Sequence, residues 1–288
     1  MSATVQSYRA GRHRRVVHPF HLAIIVILSA LALLMVYPFV WLVFSSFKTA
    51  KDIVTLPVQL FPREWTLLSF QRVLATPDLL RAYVNSLGLS FVIVALVLVT
   101  SSLGGYVFAR LRFPGREIIF LIILSTTMVP FITLLIPLYL MMQWFGLINS
   151  YLAIIIPSAI SSFGIFLCRQ FISVIPRDLY EAAKIDGCGD FAIYLSIILP
   201  LTKPVLSALA IFTFLSAFNA YLWPLVVLNE DRLFTLPIAL TKLLSTYGVT
   251  NYDLIMPASL LACLPAVVVF LVFQRNFVQG IALSGLKG

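Results

Sequence analysis

The chain has 288 residues, of which 61% are hydrophobic and only 11% are charged, and its mean hydropathy is +1.02. Soluble domains are nearer half apolar and a quarter charged, so this composition excludes a soluble enzyme. The net charge of +9 also suits a nucleic-acid-binding protein. The basic residues flank apolar stretches, however, and form no groove interleaved with aromatic side chains. We therefore expect contact with membrane lipid and no nucleic acid.

Six apolar stretches follow one another along the chain, and each is long enough to cross a bilayer core about 30 Å thick as a helix. They are Phe20–Phe44, Asn85–Ala109, Glu117–Met142, Tyr151–Leu167, Pro204–Leu228 and Leu254–Phe273. The stretches are apolar on every face, whereas the strands of an outer-membrane barrel alternate apolar and polar residues. The sequence therefore predicts an all-α polytopic membrane protein with six transmembrane helices.

The distribution of basic residues predicts the orientation of these spans. Arg110, Arg112 and Arg116 crowd the short turn between the second and third spans, and thirteen of the twenty Lys and Arg residues fall on that side. Because cytoplasmic loops carry an excess of Lys and Arg, this side is predicted to be the cytoplasm. An even number of spans then places both termini there.

This topology divides the chain into five predicted regions. Residues 1–19 form a basic cytoplasmic tail, 20–44 the first transmembrane helix, 45–80 an extracytoplasmic loop expected to pack as short interfacial helices, 81–275 a five-span core, and 276–288 a cytoplasmic tail expected to be flexible. Within the core, residues 169–203 form a cytoplasmic loop.

The span interiors hold no Asp, Glu, Lys, Arg or His. Ion-driven carriers usually place such a charge near the midplane, and intramembrane enzymes need converging reactive groups. We therefore predict no catalytic residue and no metal site, and expect the energy for any transport to come from elsewhere. Neutral polar residues and prolines do occur in the spans, where they can pack helices, bend them or line a path for a polar solute. They are Asn85, Ser86, Thr126, Thr127, Pro130, Thr133, Pro137, Pro157, Ser158, Ser161, Ser162, Thr213, Ser216, Asn219 and Pro224.

The loop at 169–203 has the pattern of a helix, a turn and a second helix. Pro176 suits a first helical turn, Glu181–Ala183 is a strong helix former, and Gly187 suits a left-handed stop. Asp190 is placed to cap the second helix, which Pro200 is expected to end. The two alanines leave the first helix slim enough to enter a groove on another protein. An amphipathic connector lying on the membrane fits the same pattern.

Three stretches resemble a known family. Glu181-Ala182-Ala183, with Gly187 six residues after the Glu, then Ile197, Leu199 and Pro200, resembles the EAA motif of the inner-membrane permeases of ABC importers, and Asp186 matches the common Asp-Gly pair. Phe-Asn-Ala-Tyr-Leu-Trp-Pro-Leu at 218–225 resembles a signature of the carbohydrate-uptake subfamily, and the ending at 274–288 is similar to that subfamily's tail. The resemblance is closest to the six-span permease of maltose-type systems. The run Ile-Ala-Leu-Ser-Gly at 281–285 departs from its more usual Leu-Thr-x-Gly-Ala.

The resemblance implies a type I ABC importer permease fold in a prokaryotic inner or plasma membrane. It implies a soluble extracytoplasmic sugar-binding protein, a second, non-identical permease subunit, and two ATPase subunits that bind ATP and Mg. The residues matched to ATPase coupling are Glu181, Ala182, Ala183, Asp186, Gly187 and Pro200. The chain has no Gly-x-x-x-x-Gly-Lys-Ser/Thr, so we expect it to bind no ATP or other cofactor and to be a transport subunit rather than an enzyme.

The expected substrate is a sugar or oligosaccharide, with a polyol or glycerol phosphate as a related possibility. Asn219, Tyr221 and Trp223 offer an amide and aromatic faces suited to hydroxyls and sugar rings, and Asn85 and Thr127 are further candidates for the path. The position of the two aromatic residues toward the outer end of their span favours an interfacial belt. A secondary carrier or channel subunit for a small polar solute is the main alternative function, and a membrane enzyme is a weaker one. Co-purification with an ATPase and a second permease would discriminate among them.

Overall fold

The computed structural model describes residues 19–245 and 252–285, and all regular secondary structure within those ranges is helical. The main helices are α1 (Pro19–Ser45), α2 (Ala50–Val54), α3 (Leu68–Leu74), α4 (Pro77–Arg110), α5 (Arg116–Ser125), α6 (Phe131–Trp144), α7 (Leu152–Ser158), α8 (Ser162–Val174), α9 (Arg177–Ile185), α10 (Asp190–Ile193), α11 (Leu199–Leu201), α12 (Lys203–Phe218), α13 (Leu222–Val227), α14 (Leu236–Ser245) and α15 (Tyr252–Gly285). Residues 126–128 and 231–233 are 3₁₀ turns, and 194–198 form a π-helical segment between α10 and α11. The predicted all-α fold is confirmed.

Within the described ranges, four helical segments are long and apolar enough to cross a membrane: Leu22–Ser45, Pro77–Arg110, Leu152–Val174 and Tyr252–Gln274. Two bent pairs also qualify, Arg116–Met128 with Phe131–Trp144 and Asp190–Leu201 with Lys203–Phe218. The bundle therefore has six spans when each bent pair is counted as one.

The third predicted span, Glu117–Met142, is two helices rather than one. The chain tightens into the 3₁₀ turn at 126–128 and then bends by 103° before α6. Pro130 explains the break, since it has no N–H to donate and disfavours a helical conformation at Val129, whose backbone is extended (φ −84°, ψ 117°).

Other predicted boundaries also differ from the structure. The second span begins at Pro77 rather than Asn85, and the fourth ends at Val174 rather than Leu167. The fifth span, Pro204–Leu228, is interrupted because α12 ends at Phe218 and α13 begins at Leu222. At the other end of the chain, α15 continues to Gly285 instead of ending at Phe273, so most of the tail expected to be flexible is helical. No proline follows Pro265 in this helix to stop it. The basic tail before residue 19 and the last three residues lie outside the described residues.

Helices α4 and α8 form the centre of the bundle, and glycines let their backbones approach closely. A Cβ atom added at Gly105 would lie 2.4 Å from the Cβ of Cys168, and one added at Gly164 would lie 2.2 Å from Ser101 Oγ. Small residues at such a crossing maximise van der Waals contact, which is the main attraction between helices in lipid. α12 then packs on this pair, with Phe214 buried 5.6 Å from the ring of Phe91.

The segment between α1 and α4 is anchored to the bundle and contains the short helices α2 and α3, as expected for the loop at 45–80. The Arg72 guanidinium in α3 lies 2.6 Å from the carboxylate of Asp253 at the start of α15. The buried Lys48 side chain donates to the carbonyl of Gln59. Trp65 packs against Phe47 and Phe44, with ring centroids 5.7 and 6.0 Å apart. These contacts hold the segment as a packed cap.

Asn149 joins two loops at this same end of the bundle. Its backbone is left-handed (φ 60°), and its N–H donates to the carbonyl of Val227 over 2.7 Å. Its side-chain oxygen accepts from the N–H groups of Asn229 and Glu230 at 3.0 and 3.1 Å, and its amide donates to the Glu230 carboxylate at 2.6 Å. Hydrogen bonds from Arg232 and Asn149 lower the pKa of Glu230. One asparagine thus ties the α6–α7 loop to the end of α13.

We expect Asn149→Leu to destabilise the protein by about 2 to 3 kcal/mol, because it removes three hydrogen bonds and places a bulky residue in a left-handed conformation. Asn229→Leu is the matched control, since its side chain makes no hydrogen bond among the described residues. The measurement is the temperature at which the detergent-solubilised protein loses its monodisperse peak. Equal temperatures for the two variants would show that the Asn149 contacts contribute little.

Candidate functional site

A cleft of about 970 Å³ opens between α4, α6, α7, α8, α12 and α13. Its volume lies at the upper end of the range for pockets that hold small molecules, roughly 300 to 1,000 Å³. The lining is mainly apolar and includes the aromatic side chains of Phe131, Phe163 and Phe212. The hydroxyl groups on its wall belong to Ser158, Ser161, Thr213, Ser216 and Tyr221.

Two breaks in the helices lie on the wall of this cleft. The first separates α7 from α8 at residues 159–161, where Thr100 donates to the carbonyl of Ala159 over 2.9 Å and Ser161 Oγ accepts from the N–H of Gly164. The second separates α12 from α13 around Ala220. Irregular backbone at membrane depth is tolerated where it is buried in protein or lines a cavity, and discontinuous helices commonly mark the binding sites of transporters.

Trp223 lines the cleft, but its indole N–H already donates a hydrogen bond within the protein and is not free to bind a solute. Its indole Nε1–H donates to the carbonyl of Ala153 over 2.9 Å. In a regular helix that carbonyl would accept from residue 157, which is Pro157 and has no N–H. The indole therefore satisfies an acceptor that proline leaves unpaired. The ring is buried and stands edge-on to Phe131 at 6.2 Å, so Trp223 is a packing residue rather than a member of an exposed aromatic belt.

The other predicted path residues lie in three different places. Tyr221 borders the cleft and is 37% exposed. Asn219 is exposed at the C-terminal cap of α12, beside the cleft but outside its lining. Asn85 donates from Nδ2 to the carbonyls of Arg232 and Phe234 at 3.0 Å each, and Thr127 donates to the carbonyl of Leu124 at the bend before α6. Neither Asn85 nor Thr127 is among the residues that line the cleft, and their part in a path stays a prediction.

We expect Trp223→Phe to destabilise the protein by about 1 to 3 kcal/mol, because it leaves the carbonyl of Ala153 without a donor. Trp144→Phe is the matched control, since Trp144 is 82% exposed. Thermal loss of the monodisperse peak measures the difference in stability. If both variants were as stable as the parent protein, the indole hydrogen bond would contribute nothing measurable to the stability of the protein.

The loop at 169–203 lies at the end of the bundle that carries Arg110 and Arg116, hereafter the basic end. α9 ends as predicted, because Gly187 is left-handed (φ 83°). The N–H of Cys188 donates to the carbonyl of Ala183, and the N–H of Gly187 donates to that of Lys184. This is the double hydrogen bond of a Schellman stop.

α9 has one face on the bundle and one face free. Ala183 is buried, whereas Glu181, Ala182 and Asp186 are exposed. Two large apolar side chains on the helix are also exposed, Leu179 at 45% and Ile185 at 87%. Exposed apolar side chains on a short helix suit docking on another protein, and they also suit the membrane-surface connector that the sequence leaves open.

Asp190 differs from its predicted role. The N-cap position of α10 is Gly189, and no side chain caps that helix. Asp190 is one residue further on, and its carboxylate turns back over α9 to accept from Tyr180 at 2.7 Å and to pair with Lys184 at 2.9 Å. The hydrogen bond with Asp190 raises the pKa of Lys184, while burial, followed by the hydrogen bond to Asp190, raises the pKa of Tyr180. Asp190 therefore links the two halves of the loop.

The loop is also attached to the end of α4. Tyr106 donates to the carbonyl of Asp190 over 3.0 Å, and the hydroxyls of Ser102 and Tyr194 lie 2.7 Å apart. Arg110 donates to the carbonyls of Ile172 and Ile175 at the end of α8. These hydrogen bonds connect the loop to the central helix pair.

The second helix of the loop runs slightly past Pro200, where the sequence predicts its end. The π-helical segment, in which the N–H of Leu199 donates to the carbonyl of Tyr194, precedes Pro200, and the helix continues to Leu201. The chain then bends by 75° at Thr202 into α12. Pro200 is exposed in the last turn.

Residues 101–283 match a family model described as the binding-protein-dependent transport system inner membrane component. The arabinooligosaccharides transport system permease protein AraQ of Halalkalibacterium halodurans is 38% identical over 90% of this chain and 93% of its own length. The lactose transport system permease protein LacG of Rhizobium radiobacter is 37% identical over 88% of this chain and 92% of its own. Among solved structures, a chain of a bacterial ABC transporter involved in the import of the acidic polysaccharide alginate superimposes with a TM-score of 0.84. It is 25% identical, and the match covers 91% of this chain and 98% of that one.

Proposed function

This chain belongs to the family of binding-protein-dependent transport system inner membrane components, and from that premise we propose that it forms half of the translocation path for a sugar or oligosaccharide in an ATP-driven importer. Its resemblance to carbohydrate-uptake permeases is confirmed by relatives whose names specify arabinooligosaccharides and lactose. These relatives are the observation that carries the proposal for the substrate class.

The cleft supports a sugar as the substrate. Sugars combine hydroxyl groups with apolar C–H faces, and the wall supplies serine and threonine hydroxyls next to aromatic rings. Ser158, Ser161, Thr213 and Ser216 would exchange hydrogen bonds with the solute, while Tyr221 would stack on its ring. None of the described lining residues is charged, which suits a neutral solute better than an ion.

The loop at 169–203 supports coupling to a separate ATPase. In this proposal, the basic end is cytoplasmic and α9 docks in a cleft of one ATPase subunit through its exposed residues, among them Glu181, Ala182, Leu179 and Ile185. ATP and Mg are bound and ATP is hydrolysed on the ATPase subunits. Closure of the ATPase pair would push α9, and the contacts of Tyr106 and Arg110 would carry that displacement into α4 and the wall of the cleft.

The proposed complex contains this chain, a second non-identical permease, two ATPase subunits and a soluble extracytoplasmic sugar-binding protein, in a prokaryotic inner membrane. The family description itself specifies binding-protein-dependent transport. The second permease would complete the path, because this chain supplies only one wall of it.

Ligand binding by the cognate sugar-binding protein tests the substrate class. Calorimetric titration with oligosaccharides, monosaccharides, polyols and glycerol phosphate is expected to give micromolar or tighter binding of a sugar. Amino acids, short peptides and metal ions serve as the comparison ligands. Tight binding of one of these and no binding of carbohydrate would contradict the proposal.

Co-purification tests the mode of transport. Affinity isolation of this chain from membranes is expected to recover an ATPase and a second permease together. A secondary carrier or channel would instead be active alone in liposomes, without ATP.

A further inference from the structure

We propose that a second cleft, at the basic end, binds the phosphate-bearing headgroup of an anionic phospholipid. This cleft measures about 560 Å³ and lies between the α4–α5 turn, the start of α5 and the start of α9. The side chains that line it include Arg112, Phe113, Arg116, Glu117, Ile118 and Arg177. It shares no lining residue with the larger cleft described above.

The cleft carries more positive than negative charge. Its one carboxylate, Glu117, is already engaged by Arg116 at 2.8 Å and by Arg169 at 2.7 Å. Arg112 and Arg177 form no ion pair with any residue in the described part of the chain. Arg110, at the end of α4, adds a further positive charge close enough to interact with Arg177. An anion between Arg112 and Arg177 would offset part of this excess positive charge, and arginine pairs with phosphate through two parallel hydrogen bonds.

The backbone at the cleft favours an anion as well. Gly115, which is left-handed (φ 78°), also lines the cleft and is the N-cap of the ten-residue helix α5. No side chain caps the first N–H groups of this helix. The positive end of the helix dipole therefore points toward the same space as the arginines.

The apolar surface next to the cleft identifies the ligand as a lipid rather than a free anion. Ile118 lines the cleft and is 65% exposed, and Ile122, one turn further along α5, is 61% exposed. A soluble phosphate would use only the arginines and the helix end. A phospholipid would use both features, with its headgroup between the arginines and an acyl chain along the two isoleucines.

Such a lipid would join two elements that move together in coupling. Arg112 follows the end of α4, and Arg177 is the first residue of α9. A bridging headgroup would hold these ends together, and this consequence rests on the proposed function. Binding of the lipid itself does not require transport, so failure of one proposal is distinguishable from failure of the other.

The test measures the phospholipid retained by the complete importer complex, purified from nanodiscs of phosphatidylcholine with phosphatidylglycerol. Native mass spectrometry and phospholipid analysis compare the parent complex with Arg112→Gln/Arg177→Gln. The variant is expected to retain phosphatidylglycerol on the order of tenfold less. The matched control, Arg63→Gln/Arg81→Gln, removes the same charge from exposed arginines at the opposite end and is expected to behave as the parent.

Equal retention of phosphatidylglycerol by the parent and the Arg112→Gln/Arg177→Gln complex would overturn the proposal. A separate arm titrates inorganic phosphate into the delipidated complex. Binding of phosphate that depends on both arginines, without any retained phosphatidylglycerol, would assign the cleft to a soluble anion and also overturn the lipid. The single variants Arg112→Gln and Arg177→Gln are measured as well. Every complex is first checked by size-exclusion chromatography, so that retained lipid is measured only for assembled complexes.

Discussion

Gly105→Ala is expected to destabilise the protein by about 3 kcal/mol and to lower the amount of assembled permease in the membrane. The added methyl group would lie 2.4 Å from the Cβ of Cys168 and 2.8 Å from the backbone nitrogen of Arg169. Neither atom belongs to a flexible side-chain end, so the α4 and α8 backbones would have to separate. Because α12 packs on this pair, the separation would also disturb the cleft.

The control for this prediction is Gly88→Ala on the same helix, where an added Cβ atom meets nothing within 4 Å. This variant is expected to match or slightly exceed the parent in stability, since alanine favours a helix over glycine by roughly 0.5 to 1 kcal/mol. Thermal unfolding in detergent and the yield from membranes are measured for both variants. A Gly105→Ala protein as stable as Gly88→Ala would refute the close approach of α4 and α8.

Gly187→Val and Glu181→Lys are expected to uncouple ATP hydrolysis from transport while leaving insertion and folding intact. Valine at Gly187 must adopt a left-handed conformation that costs an L-residue about 1 to 2 kcal/mol, so the stop of α9 would be distorted. Lysine at the exposed position 181 reverses a charge on the docking helix, and we expect roughly a tenfold or greater loss of sugar uptake.

Two substitutions separate backbone strain from simple side-chain bulk. Gly189→Val adds the same side chain two residues away, where the backbone is extended (φ −72°) and an added Cβ also meets nothing within 4 Å, so it should transport normally. Gly187→Asn should retain most activity, because asparagine tolerates the left-handed conformation. Uptake and sugar-stimulated ATPase activity are measured in proteoliposomes. If Gly187→Val and Gly189→Val gave the same activity, the coupling role of this stop would be wrong.

The order of apolar stretches predicts the helical class and the candidate spans, of which the described residues contain four, or six when each bent pair counts as one. Continuous apolar segments of this length can form few structures other than membrane-spanning helices. The positions of the breaks were harder to predict. Pro130 ends a helix, whereas Pro137 lies inside α6, and both are prolines in apolar surroundings. Whether proline breaks or merely bends a helix depends on the partners available to the freed backbone groups, and these come from other elements.

In the candidate site, too, features set by one residue are predictable from the sequence, whereas contacts between distant elements are not. The stop at Gly187 follows from the conformational freedom of one residue and was predicted correctly. The position of Asp190 one residue after the N-cap, and its contacts with Tyr180 and Lys184, depend on how α9 folds back on α10. The bond from Trp223 to Ala153 spans 70 residues, so a single sequence gives no signal for it. The sequence identifies four polar residues in spans, and only the packing of α7, α8 and α12 brings them to one cleft; they are Ser158, Ser161, Thr213 and Ser216.

ATP-dependent sugar uptake by the reconstituted complex tests the central claim most directly. Proteoliposomes containing this chain, the second permease and both ATPase subunits are supplied with the sugar-loaded binding protein outside and ATP inside. The account predicts that labelled sugar accumulates only when all these components are present, and that Glu181→Lys in this chain abolishes the accumulation while the complex remains assembled. Accumulation without ATP, or full accumulation with this chain and its ATPase but no second permease, would contradict it.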